Sequence, residues 1–249
     1  MWGRSERTHL LRQSAQDYQY GNAKADRGYM EENIENMINT EMKVQEITQE
    51  DYDELIKPYQ EALAILNVRL NALRDEYKSQ SRNYPIHSIQ QRIKAKKSIA
   101  RKLQIRGLSV TAEEARESLT DIAGIRVICY FEQDIYEVVN AVKKQADYII
   151  VKETDYIKKP KDNGYKSYHV VLGVPIYRAD KLEYYPVEIQ IRTLSMDLWA
   201  SMEHRICYKA DEDRKVSEDV RDMLKIYAQG LEEMEQDMYK CVSVKKPDA

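Results

Sequence analysis

The chain has 249 residues, a third of them charged with both signs mixed, and a formal net charge of −3. That length can bury a real core, and the near-neutral balance excludes a protein that coats nucleic acid non-specifically. With 8 glycines and 6 prolines it also excludes an all-β sandwich built on tight turns.

In chain order, residues 1–50 are polar and weakly periodic, and we expect an N-terminal extension that is partly disordered or helical. From Asp51 the apolar residues Leu55, Tyr59, Ala62, Leu63, Leu66, Leu70 and Leu73 recur at three- and four-residue steps, which predicts an amphipathic helix to Tyr77. Pro58 is expected in its first turn, where proline is tolerated. After the Tyr84-Pro85 break a second helix is predicted over Ser88–Ile105. It carries Arg92, Lys94, Lys96, Lys97, Arg101 and Lys102.

Strand signals follow. Ile122–Phe131 is an apolar, β-branched run, Gln133–Ala146 reads as helix, and Tyr148–Lys152, Tyr168–Ile176 and Tyr185–Ile191 read as strands. Thr193 or Ser195 can cap a helix carrying Trp199, Met202, Ile206 and Cys207. A charged turn at Asp211–Arg214 precedes a last amphipathic helix, Val216–Tyr239, and the tail from Val244 has no periodicity. The pattern predicts an α/β (α+β) protein: a small mixed sheet flanked by helices, with long helices at both ends. We divide it into an extension (1–50), one domain (51–240) and a tail (241–249).

No apolar run approaches the ~20 residues of a membrane-spanning helix. Cys129, Cys207 and Cys241 are scattered, without metal-ligand spacing, and no signal-peptide pattern is seen. A cytoplasmic protein with reduced thiols is expected.

Several features point to nucleotide chemistry. Six cations within Arg92–Lys102 have no acids four residues on to neutralise them, and they read as a polyphosphate cradle. Arg126 interrupts a buried run, where an unpaired charge is costly, so it needs an anion. Asp121 and Glu188 together would give Mg²⁺ two hard oxygen ligands. Glu188, Gln190 and Arg192 share one strand face because side chains alternate. On the loop before the strands, Tyr165 lies between Gly164 and Lys166-Ser167, a setting suited to a stacked base.

The order and spacing carry more than any single feature. Asp121-x-x-Gly124-x-Arg126, then Gly164-Tyr165-Lys166-Ser167-x-His169, then Val187-Glu188-Ile189-Gln190-Ile191-Arg192-Thr193, then Trp199-Ala200-x-x-Glu203-His204 closely resemble the synthetase domain of RelA/SpoT-type alarmone enzymes. The match spans about Asp51–Tyr239 and looks most like the small stand-alone synthetases.

The resemblance implies a nucleotidyltransferase-like fold and a GTP diphosphokinase of the stringent response. Such a transferase moves the β,γ-pyrophosphate of ATP to the 3′-OH of GTP or GDP, giving pppGpp or ppGpp and AMP. It implies Asp121 and Glu188 as catalytic residues and Mg²⁺ ligands, with Glu188 also drawing the 3′-OH proton. Arg92, Lys94, Lys102 and Arg126 would hold ATP. Lys161, Tyr165, Lys166, Ser167, His169, Gln190 and His204 would hold the guanine nucleotide. A homotetramer is implied, with no DNA or membrane partner; RNA stands as a candidate regulator.

Some positions depart from the family pattern. Lys166 stands where arginine or glutamine is frequent, and Asp197 where some relatives carry asparagine. Ser88–Gln91 lacks the aromatic and threonine associated with product activation, and no His-Asp hydrolase motif is present. Two other readings are a nucleotidyltransferase that releases pyrophosphate and a catalytically silent nucleotide or RNA sensor.

Overall fold

The fold is seen in a computed structural model, which describes residues 47–81, 83–208 and 217–243. Almost all of the expected extension, the Asp211–Arg214 turn and the tail from Val244 lie outside the described residues. The elements are helix α1 (Gln49–Gln80), strand β1 (Ile86–Ile93), helices α2 (Lys96–Ile105) and α3 (Ala112–Ser118), strand β2 (Ala123–Cys129), helix α4 (Glu132–Lys143), strands β3 (Ile149–Asp155), β4 (Tyr168–Tyr177) and β5 (Leu182–Thr193), then helices α5 (Leu194–Tyr208) and α6 (Glu218–Ser243).

Helix α1 starts at a capping box. The Thr48 hydroxyl accepts from the Asp51 amide at 3.0 Å, and Asp51 reaches back to Thr48. Because the helix begins at Gln49, Pro58 lies well inside it and not in the first turn as expected. The ring removes the amide that would bond the Glu54 carbonyl, and the buried apolar stripe around it offsets that loss. Leu55, Tyr59, Ala62, Leu66 and Leu70 on that stripe are fully buried across the sheet.

The predicted helix over Ser88–Ile105 is corrected. Its first part is strand β1, and only Lys96–Ile105 is helical. β1 pairs antiparallel with β2, and the register shifts between Ile86 and Ser88. Beyond the shift Ile89 faces Val127, while before it Ile86 faces Cys129, so both isoleucines reach the core side although three residues apart. The irregularity thus imitates a helical step. Helix α3 was not anticipated; its signal is Thr111, whose hydroxyl accepts from the Glu114 amide at 3.1 Å.

The five strands form one sheet in the order β1-β2-β5-β4-β3. β2 and β5 run parallel, and the other pairs are antiparallel, as the expected mixed sheet requires. Period-two alternation divides the sheet into two faces. Ile125, Val127, Val187, Ile189, Ile191, Val170 and Leu172 join the core under α1 and α4. The opposite face carries Gln90, Arg92, Gly124, Arg126, Glu188, Gln190, Arg192 and His169. At the end of β5, Thr193 Oγ1 accepts from the Met196 amide at 3.3 Å and caps α5. α5 is tied to α6 by Trp199, whose indole N–H donates to the Leu224 carbonyl at 2.8 Å.

Asp134 near the start of α4 gives a pH-dependent test. Its carboxylate accepts from the Phe131 amide at 2.9 Å, yet burial, with Glu137 and Glu235 adding, pushes it up to about 6. A carboxyl group raised on folding binds its proton more tightly in the folded state. Its contribution is therefore most favourable below the ordinary value of about 4 and is lost as pH rises to about 6. Comparing urea unfolding of the wild type with Asp134→Asn across this window should show the variant gaining relative stability with rising pH. Parallel curves would contradict it.

Candidate active site

The register lines up a cross-sheet row: Arg92 on β1 faces Gly124 on β2, which faces Glu188 on β5. The next row on the same face is Gln90, Arg126, Gln190 and His169. A cleft opens above, lined by Arg92, Asp121, Gly124, Arg126, Glu188 and Gln190. A methyl group added at Gly124 would meet only the Glu188 carbonyl, at an ordinary 3.7 Å. The protein itself could accommodate it, so the bare position leaves room for a ligand.

Asp121 stands just before β2. Its Oδ2 accepts from Lys94 Nζ at 2.8 Å and Lys102 Nζ at 2.7 Å. Burial pushes this carboxyl up, but the two lysines outweigh burial and hold it below the ordinary range. Its Oδ1 is buried with no partner. Glu188 follows the same logic: burial raises it, and hydrogen bonds from His169 and Gln190 bring it below its ordinary value despite the charge of Asp121. Both groups are ionised carboxylates on one cleft.

Among the described residues no cluster of three or more His, Cys, Asp or Glu could hold a metal. Two carboxylates, one with an orphaned oxygen, instead fit Mg²⁺, which is held by one or two carboxylates with water and substrate phosphates completing its shell.

Beside this cleft, the loop before β4 turns at Gly164, whose φ of +93° favours glycine. Tyr165 is half-buried, with the Lys161 ammonium 4.8 Å from its ring centre and also 4.8 Å from that of Tyr156. The Tyr165 hydroxyl lies 2.8 Å from His169 Nε2 and accepts from Arg192 Nη2 at 2.9 Å. His169 Nδ1 is 3.2 Å from Glu188 Oε1, and Gln190 Nε2 donates to Glu188 Oε2 at 2.8 Å. The Tyr165 ring and the Glu188 carboxylate thus belong to one network.

Other expected residues lie elsewhere. Ser167 is fully buried and donates to the Ile191 carbonyl at 3.2 Å, so it anchors the loop to β5. Lys166 pairs with Glu232 on α6 at 2.5 Å. His204 is exposed on α5. Sequence reasoning missed Tyr156 and the part played by Asp197. Asp197 is 3.2 Å from both Arg126 and Arg192 and is the anion that Arg126 required.

The family model described as the region found in RelA / SpoT proteins matches residues 91–213, which spans both carboxylates and the tyrosine loop. Two Bacillus subtilis (strain 168) proteins are similar over most of their length. GTP pyrophosphokinase YwaC is 42% identical over 164 residues, covering 66% of this chain and 78% of that relative. GTP pyrophosphokinase YjbM is 36% identical over 158 residues, covering 64% and 74%. The chain belongs to the RelA/SpoT family.

Solved structures of this RelA/SpoT group agree with the fold. Small alarmone synthetase 1 from Bacillus subtilis, bound to its product pppGpp, superposes with a TM-score of 0.71 at 30% identity, covering 78% of this chain and 98% of that one. The same synthetase bound to AMPCPP gives a TM-score of 0.65 at 28% identity, covering 79% and 100%. The five-stranded mixed sheet flanked by helices is therefore the alarmone synthetase fold.

Proposed function

We propose that this protein is a GTP pyrophosphokinase that moves the β,γ-pyrophosphate of ATP to the 3′-OH of GTP or GDP, giving pppGpp or ppGpp and AMP. The observation that carries the reading is the pair Asp121 and Glu188 on one cleft, with arginines on the donor side and Tyr165 joined to Glu188 through His169. Relatives named GTP pyrophosphokinases, and a synthetase solved with pppGpp and with AMPCPP, support it.

Arg92 and Arg126 hold ATP from the cleft wall, and Lys94 and Lys102 turn from Asp121 to its phosphates. Tyr165 stacks on guanine, and Lys161 offers its charge to the acceptor phosphates. Glu188 takes the 3′-OH proton as that oxygen attacks the β-phosphorus. The bond from the β-phosphorus to the α,β-bridging oxygen breaks, and AMP leaves. Asp121 and Glu188 would hold Mg²⁺, which when bound supplies charge neutralisation of the phosphates. Placement and charge stabilisation are sufficient for this class of reaction.

The same reading includes self-association in the cytoplasm, as a tetramer by the family resemblance. Exposed Met223, Ile226, Tyr227, Met234, Met238 and Val242 on α6 support it, and no described helix is long and apolar enough to cross a membrane. Ion-exchange separation of products from ATP, GDP and Mg²⁺ tests the chemistry. AMP and ppGpp are expected in equal amounts. Release of pyrophosphate instead would make it a nucleotidyltransferase, and nucleotide binding without product would make it a sensor.

A further inference from the structure

Arg192 has no place in the assignments above, yet it is the most buried charge on the catalytic face, 5% exposed. A guanidinium so enclosed cannot meet a nucleotide, and burying it is costly unless its donors are used. Both terminal nitrogens are used inside the site, while Nε is buried without a partner. Nη1 faces Asp197 Oδ1 at 3.2 Å, while Nη2 donates to the Tyr165 hydroxyl at 2.9 Å and to Gln190 Oε1 at 2.8 Å. Its guanidinium carbon also lies 5.2 Å from the Tyr165 ring centre.

With the contacts already described, these bonds close a ring: Arg192, Tyr165, His169, Glu188, Gln190 and back to Arg192. For a neutral imidazole and an ionised Glu188, one proton arrangement satisfies every contact. Arg192 donates to Tyr165, Tyr165 O–H to His169 Nε2, and His169 Nδ1–H to Glu188 Oε1. On the shorter arm Arg192 donates to Gln190, and Gln190 N–H donates to Glu188 Oε2. Both chains of donors start on one guanidinium and end on the two oxygens of one carboxylate. Bonds that run head to tail polarise one another and strengthen together.

Resting on the proposed function, we propose that Arg192 is a positioning residue, which through this ring fixes the guanine-stacking tyrosine and the reactive carboxylate in one mutual placement. Asp197 holds Arg192 in place and also grips Arg126, so the ring is referenced to the donor side of the cleft. Each Glu188 oxygen has a second lone-pair direction, so the ring orients the carboxylate without using up its capacity. The network also explains why Gln190 and Arg192 follow Glu188 at alternate positions: only that spacing keeps all three on one face of β5.

The test is a mutant cycle. Arg192→Gln should lower kcat about 100-fold while ATP affinity, measured by calorimetry, stays within about twofold; Arg192→Lys should not rescue it, since an ammonium lacks the fork. Tyr165 and Gln190 share the guanidinium without touching each other in the ring. Tyr165→Phe and Gln190→Leu should therefore combine to an effect at least about threefold smaller than the product of their separate effects, and this coupling should shrink in the Arg192→Gln background, where only the arm through His169 and Glu188 still joins them. Independence in the wild-type background overturns the inference, as does coupling that is undiminished without Arg192. Should Arg192→Gln fail to fold, the wild-type cycle decides alone. The same cycle read on GDP affinity decides it even if the wild type makes no alarmone, which separates its failure from that of the proposed function.

Discussion

Glu188→Gln should lower pyrophosphate transfer by at least about 1,000-fold while leaving ATP affinity within about threefold. A positioned general base contributes roughly 10²–10⁴-fold, and this residue is also proposed to hold the metal, so its loss removes two effects at once. The substitution is nearly isosteric. A glutamine carbonyl can still accept from Gln190, and the other contact survives if His169 shifts its proton to Nε2 and donates to Tyr165. The cleft should keep its shape, so the defect should fall on kcat in single-turnover assays. Activity within tenfold of wild type would remove Glu188 from the chemistry.

Asp121→Ala should give the second largest loss, about 100-fold or more in kcat/KM, with an opposite effect on metal-free binding. Asp121 is the anion that Lys94 and Lys102 share. Removing it leaves two ammonium groups beside the cleft with no counter-charge. ATP without divalent cation should then bind about threefold more tightly, even as Mg²⁺-dependent turnover collapses. Calorimetry in EDTA, set beside steady-state rates in Mg²⁺, measures both. Weaker metal-free binding would show that Asp121 holds the cradle together and does not merely compete for its charges.

Much of the catalytic face was legible in the sequence because β5 alternates cleanly. Glu188, Gln190 and Arg192 had to share a face, and the buried β2 run made Arg126 conspicuous. β1 was hidden because its irregular register imitates helical spacing, and because an edge strand with polar Gln90, Gln91 and Arg92 lacks an apolar alternation. The partners of Arg126 and Arg192 were illegible for a different reason. Asp197 belongs to α5, and only the angle at which α5 leaves β5 brings it between two arginines. The partners of Lys166 and Ser167 were illegible because loop composition names residues and not the direction of each side chain. The register at β4 settles that direction: His169 stands opposite Gln190 on the cleft face, whereas Tyr168 stands opposite Ile191 on the core face.

The strand order has a consequence for how the molecule comes into being. Among the described residues β5 is the last strand made, yet it occupies the middle of the sheet, between β2 and β4. While the ribosome is still extending the chain, one edge of β2 waits without its partner, and its apolar residues stand open to other nascent copies. Insertion of β5 closes that gap and in the same event brings Glu188 beside Gly124. A partly made chain therefore has no working centre, and competence to turn over nucleotides arrives together with the completed interior.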